Sequence, residues 1–467
     1  TSSRAVVYGL DGSIHGHGTS PLAVTYPREG WVEQSAEEIW QSQKDALLDA
    51  VAGIAGERLL AVGITNQRET VVCWDRHTGR ALGPAIVWQC RRTASRCEEL
   101  RAKGQSDFIR QRTGLVIDPY FSATKMRWLV EQVPEVRAGI EGGSAVFGTV
   151  DSWILYRLSR EAGSAVLRTE PSNASRTLLA DAESADWDEE LLALFQIPRQ
   201  VLCDVGPSFG ERGTARVSGR GLPVTGVLGD QQASLLGHGC IEPSYGKCTF
   251  GTGAFLLMHT GSSLIRSTSG LLSTVAWQEP NQKPTFALEG SVFVAGALID
   301  WLRSELRLFD DYDDLEALAS AVAESGGAVV VPAFTGLGAP HWDDRARGLI
   351  GGLTRGTTRA QLCYAALAGI AFQIGDLLAA PECVGLHSLS IDGGLSRNRA
   401  FCQILADVTG RPIDRAGNAE RTSLGAAIAA AVGAGCFATL HQAVAAMTGA
   451  SQGIAERFSP RWDAAER

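Results

Sequence analysis

Apolar and polar residues alternate along this chain with the two periods that mark strands and helices. The run Ala5-Val6-Val7-Tyr8, the polar turn Leu10-Asp11-Gly12-Ser13 and a second extended run ending near Tyr26 predict a β-hairpin. Ile39, Ala46, Leu47 and Val51 recur at helical spacing and predict a helix over 35–52, which leads into a buried strand over 59–65. The same rhythm returns as a strand over 145–147 before a helix opening at Asp151, and as a strand over 224–228 before a helix after Asp230. From Tyr245 the pattern restarts, with two strands inside 247–258 around Gly251-Thr252-Gly253, a helix over 294–308 and a strand over 328–332. A strand over 387–391, the turn Asp392-Gly393-Gly394 and a helix over 398–408 follow. Strands and helices in this order place the chain in the α/β class with mixed sheets.

The chain has 467 residues, 45% hydrophobic and 20% charged, which is more than one core normally holds. Two domains facing a ligand cleft are therefore expected. Each half opens on a small-residue turn, Thr1-Ser2-Ser3 or Gly251-Thr252-Gly253, beside an apolar hairpin, as two like domains would. A net charge of −9, a pI near 5.5 and the lack of a basic block argue against a nucleic-acid partner. Ten scattered cysteines without a Cys-x-x-Cys pair point to reduced thiols and a cytoplasmic protein, without disulfides or zinc. The longest apolar helix-like run, 425–435, is too short to span a bilayer, and no signal peptide is recognised. Thr1-Ser2-Ser3-Arg4 runs straight into the first apolar strand, as if another strand preceded it.

Several short segments offer chemistry, each with a plainer alternative. Gly251-Thr252-Gly253 presents N–H groups suited to a phosphate, or is simply a hairpin turn. Asp392-Gly393-Gly394 allows a nucleotide close to a helix start, or serves packing alone. Arg68 and Glu69 follow a strand at its carboxyl end, where open sheets place ligand contacts; in a regular strand they would point to opposite faces, so the chain must turn if both serve one ligand. Their alternative is a solvated surface ion pair. Asp230, with Gln231, is either a helix cap or a general base for a substrate hydroxyl. Asp151 is read as capping, and Trp88, Phe255 and His341 taken singly as structural.

In this order the segments resemble the FGGY carbohydrate kinases, and among them the glycerol kinases. The resemblance runs through nearly the whole chain. It is carried by Gly63-Ile64-Thr65-Asn66-Gln67-Arg68-Glu69-Thr70, by the stretches 85–93 and 113–122, by Ser172-Asn173-Ala174-Ser175-Arg176-Thr177, by Gly229-Asp230-Gln231-Gln232-Ala233, by Ala287-Leu288-Glu289-Gly290 and by 332–340. It implies two actin-like (ribonuclease H-like) domains: residues 1–238 for polyol binding and the general base, 239–467 for the nucleotide. It implies ATP-dependent phosphorylation of glycerol with Mg2+, by a homo-oligomer. Positions matching Arg68, Glu69, Tyr120, Asp230 and Gln231 hold the polyol hydroxyls, with Asp230 as base, while Trp88 and Phe255 wall the carbon chain. Phosphate and nucleotide positions map to Thr1, Ser2, Arg4, Thr252, Gly296, Asp300, Gly394 and Asn398, with Asp300 standing where these kinases usually carry Gln. The family's leading strand and its Asp-x-Gly-Thr turn are absent, so unpaired edges are expected in the first sheet and no metal ligand is assigned.

Overall fold

The structure, a computed structural model, describes residues 2–343, 345–417, 420–449 and 453–463. The opening hairpin forms between Ser2–Tyr8 and Ile14–Pro21. It stops short of Tyr26 because Pro21 has no N–H to continue the ladder. Ser35 caps the next helix, Ala36–Ala50, by accepting from the Glu38 N–H, and Ile39, Trp40 and Ala46 are its buried face. That helix lies on the hairpin so closely that a Cβ added at Gly18 would meet the Ala46 carbonyl oxygen at 2.0 Å.

Val62–Asn66 starts later than the apolar pattern suggests because the helical turn Gly56–Arg58 takes up the preceding residues. It runs parallel to Arg220–Gly229, which pairs antiparallel with Phe209–Val217. A separate four-stranded sheet orders Glu33–Gln34, Ala85–Ile86, Val71–Asp75 and Ala145–Thr149. Gly63 faces the helix Arg421–Gly433, while its neighbour Ile64 packs with Ile154 and Leu158 of the helix Val150–Glu161. The two helices therefore cover opposite faces of the strand.

Among the described residues, Ser2–Tyr8 and Val62–Asn66 each carry a ladder on one edge only. Both line a single cavity of about 770 Å³, together with Val150, Ile154, Ala426 and Ala430. These are the unpaired edges expected of the first sheet.

The second half is built on a seven-stranded mixed sheet, in the order Leu272–Trp277, Thr285–Val292, Ala254–Gly261, Gly246–Phe250, Leu389–Gly393, Ile413–Ala416, Ile454–Phe458. The helix expected over 294–308 is shorter, Gly296–Ser304: Ala295 holds a non-helical φ of −130° and ψ of −88°, and its N–H donates to the Thr252 carbonyl. The most membrane-like helix is Arg359–Leu378 rather than 425–435; it is long and apolar enough to span a bilayer, but 67% of its apolar window is buried inside the fold. All ten cysteines are free thiols, nine of them buried.

The helix Arg421–Gly433 is late in the chain yet packs on first-half elements. Thr225 Oγ1 donates to the Ala430 carbonyl at 2.8 Å, and a Cβ at Gly425 would meet the Ala233 carbonyl oxygen at 1.8 Å.

Candidate active site

Strand Val62–Asn66 delivers Arg68 and Glu69 to one place because the chain does turn. Glu69 holds the left-handed φ of 59° and the Thr70 N–H donates to the Arg68 carbonyl at 2.7 Å. Both side chains are buried, which excludes the surface ion pair. Arg68 donates to both oxygens of Glu289, at 2.6 and 3.1 Å, and Arg176 joins Glu69 and Glu289 at 2.7 Å each. Burial would press the Arg68 charge down, but Glu289 and Glu69 outweigh it and raise its pKa. Burial likewise opposes the Glu289 charge, yet Arg176 and Arg68 lower its pKa to about 2. Glu69, with one close ion pair to Arg176, is shifted the other way because burial dominates. Breaking such a quartet leaves an uncompensated buried charge, which costs about 3–5 kcal/mol.

Asp230 opens the helix Asp230–Gly237, where Gly229 is the cap position, and its Oδ1 accepts from the Gln231 backbone N–H at 2.8 Å. Its Oδ1 lies 3.3 Å from Arg68 Nε, its Oδ2 accepts from Gln231 Nε2 at 3.2 Å, and its side chain is 34% exposed. Tyr120 Oη accepts from Arg68 Nη2 at 3.3 Å. The Tyr120 ring meets Trp88 edge-on at 5.7 Å, and Trp88 meets Phe255 at 6.0 Å. The structure thus gathers Arg68, Glu69, Tyr120, Asp230 and Gln231 beside a wall of Trp88 and Phe255. Acceptors, donors and a narrow aromatic edge on this scale suit a small polyhydroxyl ligand.

A second group of residues lies at the carboxyl ends of two adjacent parallel strands, Gly246–Phe250 and Leu389–Gly393, with Phe250 opposite Gly393. Gly251-Thr252-Gly253 turns between Phe250 and Ala254, and the Gly296 N–H bonds to the Gly251 carbonyl at 3.0 Å. A Cβ at Gly296 would meet that oxygen at 2.5 Å, and one at Gly393 would meet the Phe250 carbonyl oxygen at 2.2 Å, so the backbones need glycine to approach. Gly394 is open on its Cβ side. Asn398 caps the helix Arg399–Thr409 with Oδ1, leaving its buried Nδ2 without a partner. Asp300, exposed on Gly296–Ser304, accepts from Tyr312 Oη at 2.7 Å. Ser2 and Arg4 lie on the first hairpin, with Arg4 paired to Glu420 at 2.9 Å, and Thr1 is outside the described residues.

The model of the FGGY family of carbohydrate kinases, N-terminal domain, matches residues 1–237, and that of its C-terminal domain matches residues 246–434. The chain belongs to the FGGY family of carbohydrate kinases. A glycerol kinase of Thermus brockianus is 50% identical to it, with 94% of this chain and 89% of the relative covered. A glycerol kinase of Alkalilimnicola ehrlichii is 47% identical, covering 99% of this chain and 92% of the relative. A crystal structure of Plasmodium falciparum glycerol kinase with ADP superposes with a TM-score of 0.91 at 32% identity, covering 99% of this chain and 92% of the other. The two-domain FGGY kinase architecture follows from both comparisons.

Three residues of this FGGY kinase escaped sequence reasoning as site members. Arg176 and Glu289 lie inside the segments that carried the resemblance, yet neither names a ligand role until the fold brings them to Arg68. Lys247 gave a fainter signal, a lone cation in a strand otherwise read as apolar. Two structural readings need correction. Asp151 caps nothing: it is buried, accepts from Thr149 Oγ1 and from Thr169 Oγ1 at 2.8 Å, and burial raises its pKa to about 6. His341 is not in the core; its side chain is 50% exposed, 3.5 Å from Asp376.

Proposed function

We propose that this FGGY kinase transfers the γ-phosphoryl group of ATP to a terminal hydroxyl of glycerol, with Asp230 as the general base. The observation that carries this reading is the Asp230 carboxylate, accessible to solvent yet fixed 3.3 Å from the buried Arg68, which also meets Tyr120, the ring that packs edge-on against Trp88. Arg68 Nε is buried without a hydrogen-bond acceptor and lies 3.3 Å from Asp230 Oδ1. A hydroxyl beside both accepts from Arg68 Nε–H and donates its proton to Asp230 as it attacks phosphorus in line. Glu69 and Gln231 take the remaining hydroxyls, and the rings cover the carbon edge. The glycerol kinases at 50% and 47% identity support glycerol over longer polyols.

The glycine turns at 251–253 and 393–394, with Thr252, Gly296 and Asn398, hold the nucleotide in this reading, and Ser2 and Arg4 contribute from the hairpin. Magnesium, when bound, neutralises charge on the transferring phosphates. Among the described residues no cluster of three metal-ligating side chains exists. Asp230 and Asp392 both act on the buried Lys247, and Asp392 Oδ1 is buried without a hydrogen bond. The two carboxylates fit an ion that takes one or two of them together with phosphate oxygens and water, so they are the residues that would hold it. Ten unpaired cysteines suit work in the cytoplasm.

Asp230→Asn removes the proton acceptor while keeping the shape. It is expected to lower kcat in a coupled ADP-release assay with glycerol by at least about a hundredfold, with an unchanged thermal melt. An unchanged kcat rejects Asp230 as the base.

A further inference from the structure

Lys247 is fully buried on the strand Gly246–Phe250, whose residues Cys248 and Phe250 face the core of the second half. By strand alternation Lys247 and Thr249 point to the opposite face. There Lys247 Nζ donates to Gln231 Oε1, and to Thr249 Oγ1 at 3.1 Å. An ammonium group only donates, so it fixes which end of the Gln231 amide it meets. The amide nitrogen is thereby turned toward Asp230, and Gln231 Nε2 donates to Asp230 Oδ2 at 3.2 Å. Arg68 Nε faces the other oxygen at 3.3 Å. Each carboxylate oxygen of Asp230 is thus faced by donors: Oδ1 by the Gln231 backbone N–H at 2.8 Å and by Arg68, which the Glu289 quartet holds, and Oδ2 by the Gln231 amide that Lys247 fixes.

We propose that Lys247 is a positioning residue for phosphoryl transfer, which fixes the Gln231 amide and through it the orientation of the Asp230 carboxylate. This rests on the reading of Asp230 as the base. Packing alone does not call for a lysine here: desolvation opposes its charge, which Asp392 and then Asp230 favour, and its hydrogen bonds on this face go to Gln231 and Thr249. Without Lys247 the Gln231 amide is free to turn its oxygen toward Asp230, which repels the carboxylate and loosens its aim at the hydroxyl.

The test compares the full chain with Lys247→Met, Gln231→Leu, the double variant and Asp230→Asn, reading kcat, the KM for glycerol and for ATP, and the thermal melt. Lys247→Met is expected to lower kcat about tenfold or more and to leave the KM for ATP within about twofold. The double variant is expected to be no slower than Gln231→Leu alone, because the lysine acts through that amide. A lysine with a merely structural part would lower the melt and spare kcat. Unchanged kcat in Lys247→Met, or losses that multiply in the double variant while Asp230→Asn is inactive, overturn the positioning role alone. Full activity in Asp230→Asn overturns the base assignment and the positioning role with it.

Discussion

Glu289 reaches from the second half of the chain to hold Arg68 and Arg176, which come from the first half, so a single carboxylate orders the proposed polyol site and joins the halves. Glu289→Gln keeps the shape but leaves two buried guanidinium groups short of charge. The chain is expected to lose about 3–5 kcal/mol of stability in denaturant titration, and its KM for glycerol is expected to rise because Arg68 is no longer fixed. The same pairing sets an acid limit. The folded-state pKa of Glu289 lies near 2 against an ordinary value of 4.5, so its contribution is complete above 4.5 and is lost as pH falls toward 2. Thermal melts across that window should show a slope that Glu289→Gln flattens. At this scale the sequence was uneven as a guide. Arg68 and Glu69 were readable as neighbours at a strand end, either ligand contacts or a surface ion pair, and the need for a turn if both serve one ligand could be stated, because a regular strand points them to opposite faces. Nothing local in Ala287-Leu288-Glu289-Gly290 says that its carboxylate meets Arg68 and Arg176, 221 and 113 positions away.

Helix Arg421–Gly433 shows what the element scale adds. Gly425 and Gly237 let it lie against Asp230–Gly237, the helix that opens with the proposed base; a Cβ at Gly237 would meet the Arg421 carbonyl oxygen at 1.9 Å. Gly425→Ala is therefore expected to destabilise the fold by about 1–3 kcal/mol through overpacking and to lower kcat by shifting Asp230. Gly351→Ala, where nothing lies within 4 Å of the added carbon, is the control, and both are read by denaturant titration and turnover. Strand and helix types were legible wherever a period was strong, as in Ala36–Ala50 and Gly246–Phe250. Bounds shifted where hydrogen bonds to distant residues took over, as Thr252 does for Ala295. The pairing of a late helix with early strands was not legible, because an alanine and glycine run states only that something lies close.

For the whole molecule, the open edges of Ser2–Tyr8 and Val62–Asn66 along one cavity leave ladder hydrogen bonds unmade between two helical layers. A chain carrying one more apolar strand ahead of Thr1 is expected to fill that cavity and to melt several degrees higher, checked by differential scanning calorimetry; an unchanged melt would show that the edges are satisfied otherwise. The α/β class was readable from the chain, because periodicity and turn residues report strand and helix order, whereas the unpaired edges were expected only from the resemblance to the family. The apparent membrane-length helix Arg359–Leu378 was not singled out, since only the fold shows it lining a core. The claim that joins these scales is phosphoryl transfer to glycerol. Phosphorus NMR of the chain with ATP, magnesium and glycerol tests it most directly: the account predicts ADP and one phosphomonoester, glycerol 3-phosphate, appearing together, whereas intact ATP, or ADP with inorganic phosphate alone, would contradict it.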